Sequence, residues 1–215
     1  MAICMPIIFI SSQDLTNAAN YRRYAEANKT DSRHKVVFIG NSITEGWVKT
    51  RPGFFRTNNF AGRGIGGQTS PQLLLRFRQD VINLKPEAVV INVGTNDIAQ
   101  NTGEYNPRFT MDCIMSMSEL AKQNGIKVIL SSVLPAKGFS WNKGITDAVK
   151  KIDALNAQIK EYAKANGFAY IDYNSSMRDE KGGLRKNLGN DGVHPNKEGY
   201  VIMEKIAKNV IDKTL

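Results

Sequence analysis

Two short segments of the chain hold the side chains that nucleophilic hydrolysis requires. Ser42 lies in the segment GNSIT at 40–44, and Asp191 and His194 lie in DGVHP at 191–195. A serine hydroxyl attacks a carbonyl carbon at neutral pH only when a base takes its proton. An aspartate three residues before a histidine can accept a hydrogen bond from one ring nitrogen, which leaves the other nitrogen to face the serine. The pattern predicts acyl transfer with Ser42 as nucleophile, His194 as general base and Asp191 as the orienting carboxylate.

The length and the hydrophobic pattern predict the elements that bring these residues together. The chain has 215 residues, 41% of them hydrophobic and 23% charged, so we expect a single domain spanning 1–215. Most strand signals are continuous apolar runs that alternate with helix signals, as in parallel strands covered on both faces. We predict an α/β fold, a three-layer α/β/α sandwich around a five-stranded parallel sheet. The predicted strands are 35–40, 57–61, 87–94, 126–133 and 168–172.

Helix ends are marked by cap, proline and glycine signals. An opening helix is predicted over 14–28, and the Ser-Pro pair at 70–71 predicts the start of another helix. Asn-Gly pairs at 124–125 and 166–167 each close a helix and are followed at once by a strand. A last helix is predicted over 196–211. Helices therefore separate the strands, which is typical of parallel connections.

Polar segments follow the first three predicted strands. Ser42 follows the first, the glycine-rich segment GIGGQT at 64–69 the second, and GTND at 94–97 the third. Open parallel sheets bind their ligands outside the carboxyl ends of the strands. The sequence has two histidines, and His34 precedes the first strand, which places it at the opposite edge. His194 is therefore the histidine that can meet Ser42.

These four segments resemble, in the same order, the signature blocks of the SGNH hydrolases, also called GDSL esterases or lipases. The resemblance implies a flavodoxin-like sheet and a serine esterase that needs no cofactor. It assigns the oxyanion hole to the backbone N–H of Ser42, the backbone N–H of Gly67 and the side-chain amide of Asn96. Among known members, the chain is similar to subunits of platelet-activating-factor acetylhydrolase and to carbohydrate acetylesterases. No metal is implied, because two histidines without a cysteine cluster give no zinc spacing.

The chain departs from the family pattern at Asn41, where the block usually has aspartate. Asparagine is nearly isosteric with aspartate and keeps an acceptor, but it lacks the negative charge and adds donors. We therefore expect no role at Asn41 that requires a carboxylate.

Four side chains are expected to line the substrate site: Asn41, Trp47, Phe139 and Trp141. The three aromatic rings either stack on sugars and cover a short acyl chain or pack beneath their own loops. The sequence has no long apolar lid segment, which favours short acyl groups, such as acetyl esters on a carbohydrate or a small-molecule alcohol. A lysophospholipase or long-chain lipase of the same family is the alternative.

Each block also has an ordinary structural interpretation when it is taken alone. Ser42 with Glu45 fits the S-x-x-E capping box of a helix. The glycines at 64–67 fit a tight turn, the segment at 94–97 fits a helix cap, and Asp-Gly at 191–192 fits a turn. The occurrence of all four in order at strand ends favours the catalytic interpretation.

Two other functions compete with ester hydrolysis. The segment GRGIGG at 62–67 satisfies G-x-G-x-x-G between a strand and a helix, which is typical of nucleotide-binding domains. That motif expects an acidic residue at the end of the next strand, where this chain has NVG at 92–94. The other competitor is a non-catalytic carbohydrate-binding module, which the presence of Ser42, Asp191 and His194 disfavours.

The charge and the amino terminus bear on partners and compartment. The net charge is +9, but the lysines are dispersed and not interleaved with aromatic residues, so we expect an ester substrate and no nucleic-acid partner. No apolar run approaches the ~20 residues that span a bilayer, so no integral membrane association is expected. Residues 1–12 fit either a remnant of a secretory signal or a loose terminal segment, which leaves an exported and a cytoplasmic protein as alternatives. The oligomeric state is not predicted.

Overall fold

Five parallel strands form the centre of the computed structural model, which describes residues 15–30 and 33–215. The strands are β1 (Val36–Gly40), β2 (Phe60–Gly64), β3 (Ala88–Asn92), β4 (Lys127–Ser131) and β5 (Ala169–Ile171). Their order is β2-β1-β3-β4-β5, and every pairing is parallel. This is the order of flavodoxin-like sheets, so the predicted α/β fold is confirmed.

Helices cover both faces of the sheet. In chain order they are α1 (Leu15–Ala18), α2 (Ala25–Thr30), α3 (Ser42–Thr50), α4 (Pro52–Thr57), α5 (Ser70–Asp80), α6 (Thr95–Ile98), α7 (Pro107–Gln123), α8 (Ala148–Asn166), α9 (Tyr173–Met177) and α10 (Lys197–Thr214). Short 3-10 helices lie at Ile82–Leu84 and Lys186–Leu188. None of the helices in the described ranges is long and apolar enough to cross a membrane.

Alternate strand residues bury against two different apolar clusters, one on each face. On β1, Val37 and Ile39 pack in the cluster that contains the apolar residues of α5, α7 and α8. Val36 and Phe38 pack in the cluster formed with α3, α4 and α10. The sheet is therefore the middle layer of three, and its strand ends are left free to carry a site.

The second strand lies three residues later than predicted. Residues up to Thr57 belong to α4, and the following turn is closed by a hydrogen bond from Asn58 Nδ2 to the Phe54 carbonyl at 2.8 Å. The strand itself includes Gly64, where an added Cβ would lie 2.2 Å from the backbone nitrogen of Glu45. The close approach of α3 requires glycine there, and glycine weakens the strand signal in the sequence.

The opening helix predicted over 14–28 is wrong, because two short helices, α1 and α2, occupy this part of the chain. Asn20 adopts a left-handed φ of 50° between them. The carbonyls of Ala19 and Tyr21 accept hydrogen bonds from Gln68 Nε2 at 2.7 Å and Gln79 Nε2 at 2.6 Å. These tertiary bonds replace helical ones and dock the segment on α5 and the loop before it. Residues 1–12, interpreted as a signal remnant or loose terminus, lie outside the described residues.

The helix predicted from Ser70-Pro71 is present, but its cap is the preceding residue. Thr69 has extended backbone angles, and its N–H donates to Gln72 Oε1 at 2.9 Å. Ser70 is instead the first residue of α5, and its hydroxyl donates a hydrogen bond to Asp97.

Candidate active site

The candidate site lies at the carboxyl edge of the sheet, where the strand order reverses. The chain leaves β1 toward β2 on one side, whereas β3 lies on the other side of β1. Ser42 follows β1 directly and is the first residue of α3, and Asn96 follows β3 within α6. Such a reversal opens a crevice between the loops that leave the two central strands.

A chain of two hydrogen bonds joins the three residues predicted to form the triad. Ser42 Oγ lies 2.8 Å from His194 Nε2, and His194 Nδ1 lies 2.7 Å from Asp191 Oδ2. The other oxygen, Asp191 Oδ1, accepts the backbone N–H groups of Val193 at 3.0 Å and His194 at 2.8 Å. The tight turn at 191–194 therefore holds both carboxylate oxygens and fixes the imidazole between them and the serine.

The carboxylate of Asp191 is held in its ionised form. Partial burial acts to raise the pKa of Asp191, but the hydrogen bonds from His194 and Val193 outweigh it and lower the pKa below its ordinary value. A charged Asp191 carboxylate accepts a hydrogen bond from the protonated Nδ1 of His194. The Nε2 atom of His194 is then the acceptor that faces Ser42.

Asn41 caps the helix that presents Ser42. Its Oδ1 accepts the Ile43 N–H at 3.0 Å, and the residue is only 1% exposed. The capping-box interpretation of Ser42 with Glu45 is therefore wrong. The burial of Asn41 also corrects its interpretation as a lining residue, since its side chain is enclosed by protein. Ser42 stands at the first helical position, where a backbone N–H has no acceptor within the helix.

Glu45 supports the glycine-rich loop instead of capping its own helix. Glu45 Oε2 accepts the backbone N–H of Gly66 at 2.8 Å. Burial acts to raise the pKa of Glu45, and the bonds from Lys49 and Gly66 lower it overall. The carboxylate thus ties the start of α3 to the loop that follows β2. The sequence pattern does not predict this contact.

Gly67 lies at the exposed end of this loop with a φ of +78°, a conformation that side-chain-bearing residues rarely adopt. Its carbonyl accepts a hydrogen bond from Asn101 Nδ2 at 3.0 Å. Asn101 Oδ1 in turn accepts the indole N–H of Trp141 at 2.9 Å. Asn101 therefore connects the glycine-rich loop to the aromatic loop after β4. Asn101 belongs to no motif, and no pattern in the sequence predicts this role.

Asn96 is 3% exposed and points its amide toward the same loop. Its Nδ2 donates to the Gln68 carbonyl at 2.9 Å. An amide nitrogen carries two hydrogens, so this bond orients the group and leaves the second N–H for another acceptor. The arrangement brings Asn96 beside the residue that follows Gly67.

Asp97, the last residue of the third block, anchors the start of α5. Its Oδ1 accepts the Ser70 N–H at 3.0 Å and the Ser70 hydroxyl at 2.5 Å. Burial raises the pKa of Asp97 in spite of these bonds and one from Thr110. Asp97 thereby fixes the end of the glycine-rich loop.

A fully buried arginine braces the loops from beneath. Arg76 is 0% exposed and pairs with Asp80 at 2.8 Å. It also donates to Gln68 Oε1 at 2.7 Å and to the Gly40 carbonyl at 3.0 Å. The guanidinium therefore joins the end of β1 to the loop after β2. All three of these bonds are buried.

The three aromatic residues expected to line the site have different positions. Trp47 is 2% exposed and stacks on Phe54 with ring centroids 5.2 Å apart, so it belongs to the core. Phe139 is 3% exposed and packs behind Trp141. These burials correct the lining interpretation of Trp47 and Phe139. Trp141 is 45% exposed, and its ring centroid lies 6.2 Å from that of His194.

The geometry disfavours the nucleotide-binding interpretation of 62–67. The dinucleotide motif places its first glycine in the tight turn after the strand, but here Gly62 and Gly64 both lie within β2. Their lack of a Cβ accommodates α3, since an added Cβ on Gly62 would meet the Val48 side chain at 2.1 Å. These glycines are explained by helix packing.

Comparisons with known proteins show the family and the fold. The model of the GDSL-like Lipase/Acylhydrolase family matches residues 38–202. A crystal structure of a GDSL-like lipase from Bacteroides thetaiotaomicron is 56% identical, with a TM-score of 0.88, over 92% of this chain and 99% of that chain. An acetylxylan esterase from Xylanibacter ruminicola is 27% identical over 93% of this chain and 47% of its own length. The structure of Axe2, an acetylxylan esterase from Geobacillus stearothermophilus, shares the fold at 21% identity and a TM-score of 0.68, over 84% of this chain and 94% of that chain. The chain spans about half the length of the first curated relatives that it matches.

Proposed function

Because the chain belongs to the GDSL-like lipase/acylhydrolase family, whose members are carboxylic ester hydrolases, we propose that it removes short acyl groups, chiefly acetyl, from carbohydrate esters. The observation that carries the proposal is the hydrogen-bonded sequence Ser42–His194–Asp191, with links of 2.8 and 2.7 Å. The catalytic roles that follow are part of the same proposal.

The reaction proceeds through an acyl-enzyme. Ser42 Oγ attacks the ester carbonyl carbon while His194 Nε2 accepts the hydroxyl proton. The tetrahedral intermediate collapses, the C–O bond to the alcohol breaks, and His194 returns the proton to the departing alkoxide. Water then attacks the acyl-serine with His194 again as base, which releases the carboxylic acid and restores Ser42. Asp191 stays ionised and stabilises the imidazolium that forms at each step.

The negative charge on the carbonyl oxygen is stabilised by the backbone N–H groups of Ser42 and Gly67 and by the second amide N–H of Asn96. Three observations support this assignment. Ser42 stands at a helix N-terminus, Gly67 is exposed with positive φ, and Asn96 is already oriented by the Gln68 carbonyl. Neutral donors held in place by the fold stabilise an oxyanion without reorganising.

We expect Asn96→Ala to lower kcat by about 10²–10³-fold with little change in KM, because the lost donor acts mainly in the transition state. Steady-state hydrolysis of p-nitrophenyl acetate measures both constants. Asn166→Ala is the control, since among the described residues the Asn166 amide donates to the Tyr162 carbonyl of its own helix and to no residue of the candidate site. A rise in KM at unchanged kcat would show that Asn96 binds the substrate and not the oxyanion.

The preference for a small acyl group and a carbohydrate alcohol is supported by the openness of the site. Gly67 and Asp191 are exposed, and Trp141 presents an exposed face next to His194. Exposed tryptophan faces suit the apolar faces of sugar rings. Trp47 and Phe139 are buried in the core, so neither ring is free to enclose a longer acyl chain. Two relatives named as acetylxylan esterases point to the same substrate class.

A chain-length series tests the proposal. We expect kcat/KM to fall from p-nitrophenyl acetate through butyrate to octanoate, and acetylated xylo-oligosaccharides to release acetate. Ser42→Ala supplies the background rate for each ester. Preference for octanoate, or release of fatty acid from a lysophospholipid without release of acetate from the sugar, would favour the long-chain lipase and overturn the proposal.

A further inference from the structure

A cationic groove lies beside the candidate active site. Its volume is ≈ 680 Å³, and five of its lining residues are basic: Lys137, Arg178, Lys181, Arg185 and Lys186. They come from two segments that are far apart in the sequence, so the dispersed charges of the chain are brought together here by the fold. The volume is that of sites that bind small organic ligands.

Internal ion pairs neutralise only part of this charge. Lys137 pairs with Asp179 at 2.5 Å, and Arg178 pairs with Asp153 at 2.8 Å. Lys181, Arg185 and Lys186 form no ion pair with any described residue, while Glu180 is the remaining acidic side chain of the lining. Three cations therefore face one carboxylate, which leaves the groove attractive to anions.

Arg185 is held in place at this groove. Its Nη2 donates to the Ser176 carbonyl at 2.5 Å, and its backbone N–H donates to the Met177 carbonyl at 3.1 Å. Its Nε–H is buried and has no hydrogen-bond partner among the described residues. The guanidinium is thereby fixed, and its Nη hydrogens that are not bonded to Ser176 are suited to bind a carboxylate or a sulfate group.

The groove and the candidate active site share one edge of the sheet. Lys137 follows β4 and the segment 178–187 follows β5, whereas Ser42 and Asn96 follow β1 and β3. Because β4 and β5 come next to β3 in the sheet, the groove continues the line of the site. The two are also connected by a hydrogen bond from Asn196 Nδ2, two residues after His194, to the Asn187 carbonyl at 3.0 Å.

Trp141 lies on the loop between the two regions. It is four residues from Lys137, and its exposed ring lies 6.2 Å from that of His194. The loop after β4 thus carries both Trp141, beside His194, and Lys137, which lines the cationic groove.

We propose that the cationic groove binds the acidic groups of the carbohydrate that carries the ester, so that the substrate is an anionic oligosaccharide bearing carboxylates or sulfates. This inference rests on the proposed function for the position of the ester. The groove supplies charge-assisted hydrogen bonds to the anionic sugar units, and Trp141 supplies the stacking surface between them and the ester.

Calorimetric binding to the Ser42→Ala protein tests the groove without hydrolysis. The ligands are an oligogalacturonate, a sulfated oligosaccharide, a neutral xylo-oligosaccharide of equal length and a single-stranded DNA of equal charge. We expect one or both anionic oligosaccharides to bind at least about tenfold more tightly than the neutral one, and the tighter of the two identifies carboxylate or sulfate. Equal binding of neutral and anionic sugars, or tighter binding of DNA, would overturn the proposal.

Charge-matched variants then locate the binding. Adding Lys181→Gln and Lys186→Gln to Ser42→Ala should weaken binding of the preferred anionic oligosaccharide by about tenfold. Adding Lys164→Gln and Lys205→Gln, which remove two exposed charges from α8 and α10, should leave it unchanged. If both pairs of substitutions weakened binding equally, the effect would come from net charge, and a defined groove would be contradicted. Failure here would leave the hydrolysis of acetyl esters by the unaltered chain untouched, so the two proposals are tested separately.

Discussion

We expect Ser42→Ala to lower kcat/KM for p-nitrophenyl acetate by about 10⁴–10⁶-fold while leaving the fold intact. The substitution removes the oxygen that lies 2.8 Å from His194 Nε2, and with it the covalent route. The proposed oxyanion donors and the binding surface remain, and in other serine hydrolases such groups alone sustain about 10³–10⁴-fold catalysis over water. Alanine suits the first turn of α3, so no loss of stability should accompany the loss of rate.

Ser116→Ala provides the matched control for this experiment. Among the described residues, the Ser116 hydroxyl donates to the Asp112 carbonyl of its own helix, α7, at 2.8 Å and to no residue of the candidate site. Thermal melting compares the stability of both variants with that of the unaltered chain. If Ser42→Ala retained more than about a tenth of the activity, Ser42 would not be the nucleophile.

The second large effect is expected for Asp191→Asn, which should lower kcat by about 10⁴-fold. Asparagine can keep the Oδ1 acceptor for the two backbone N–H groups of the turn, so the loop should hold its shape. Its Nδ2 replaces the oxygen that lies 2.7 Å from His194 Nδ1 and is a donor. His194 Nδ1 must then become the acceptor, which moves the proton to Nε2 and removes the base from Ser42.

The pH profile separates this tautomer effect from a structural one. Hydrogen bonding lowers the pKa of Asp191, so this carboxylate stays ionised while imidazoles titrate. Because the proposed reaction requires an unprotonated general base, kcat/KM of the unaltered chain should rise with pH and then level off. Asp212→Asn, which removes the same charge from the end of α10, should keep both the rate and the profile. A flat profile in the unaltered chain would contradict the role of His194 as base.

The positions of the proposed triad, Ser42, His194 and Asp191, were predictable because each residue lies next to a strong local signal. The apolar runs of β1 and β3 fix where those strands end, and a parallel sheet brings those ends to one edge. Asp191 and His194 are three residues apart, so a tight turn alone brings them into contact. Nothing in the sequence specified that His194 would reach Ser42 except the placement of His34 at the other edge.

The supporting contacts were not predictable, since they depend on tertiary distances. Glu45 had an ordinary local interpretation as a capping residue, and only the position of β2 beside α3 shows that it accepts the Gly66 N–H. Asn101 has no neighbouring motif, although it connects Gly67 to Trp141. Side-chain spacing along one strand or helix gives no information on such cross-loop bonds.

The sequence pattern also could not predict which aromatic residues are buried. Trp47 and Trp141 both stand in polar surroundings near a strand end, yet one is 2% and the other 45% exposed. The difference arises from α10, whose Tyr200 stacks on Trp47 with centroids 6.0 Å apart. A helix that begins 150 residues later thus decides which tryptophan can meet a substrate.

The most direct test of the central claim is to find where the acyl group is held during turnover. Rapid acid quenching of the reaction with p-nitrophenyl acetate, followed by digestion and peptide mass spectrometry, locates any covalent acetyl group. We expect one acetyl group on the peptide that contains Ser42, and none on that peptide in Ser42→Ala. Acetylation of another residue in the burst phase, with Ser42 unmodified, would contradict it.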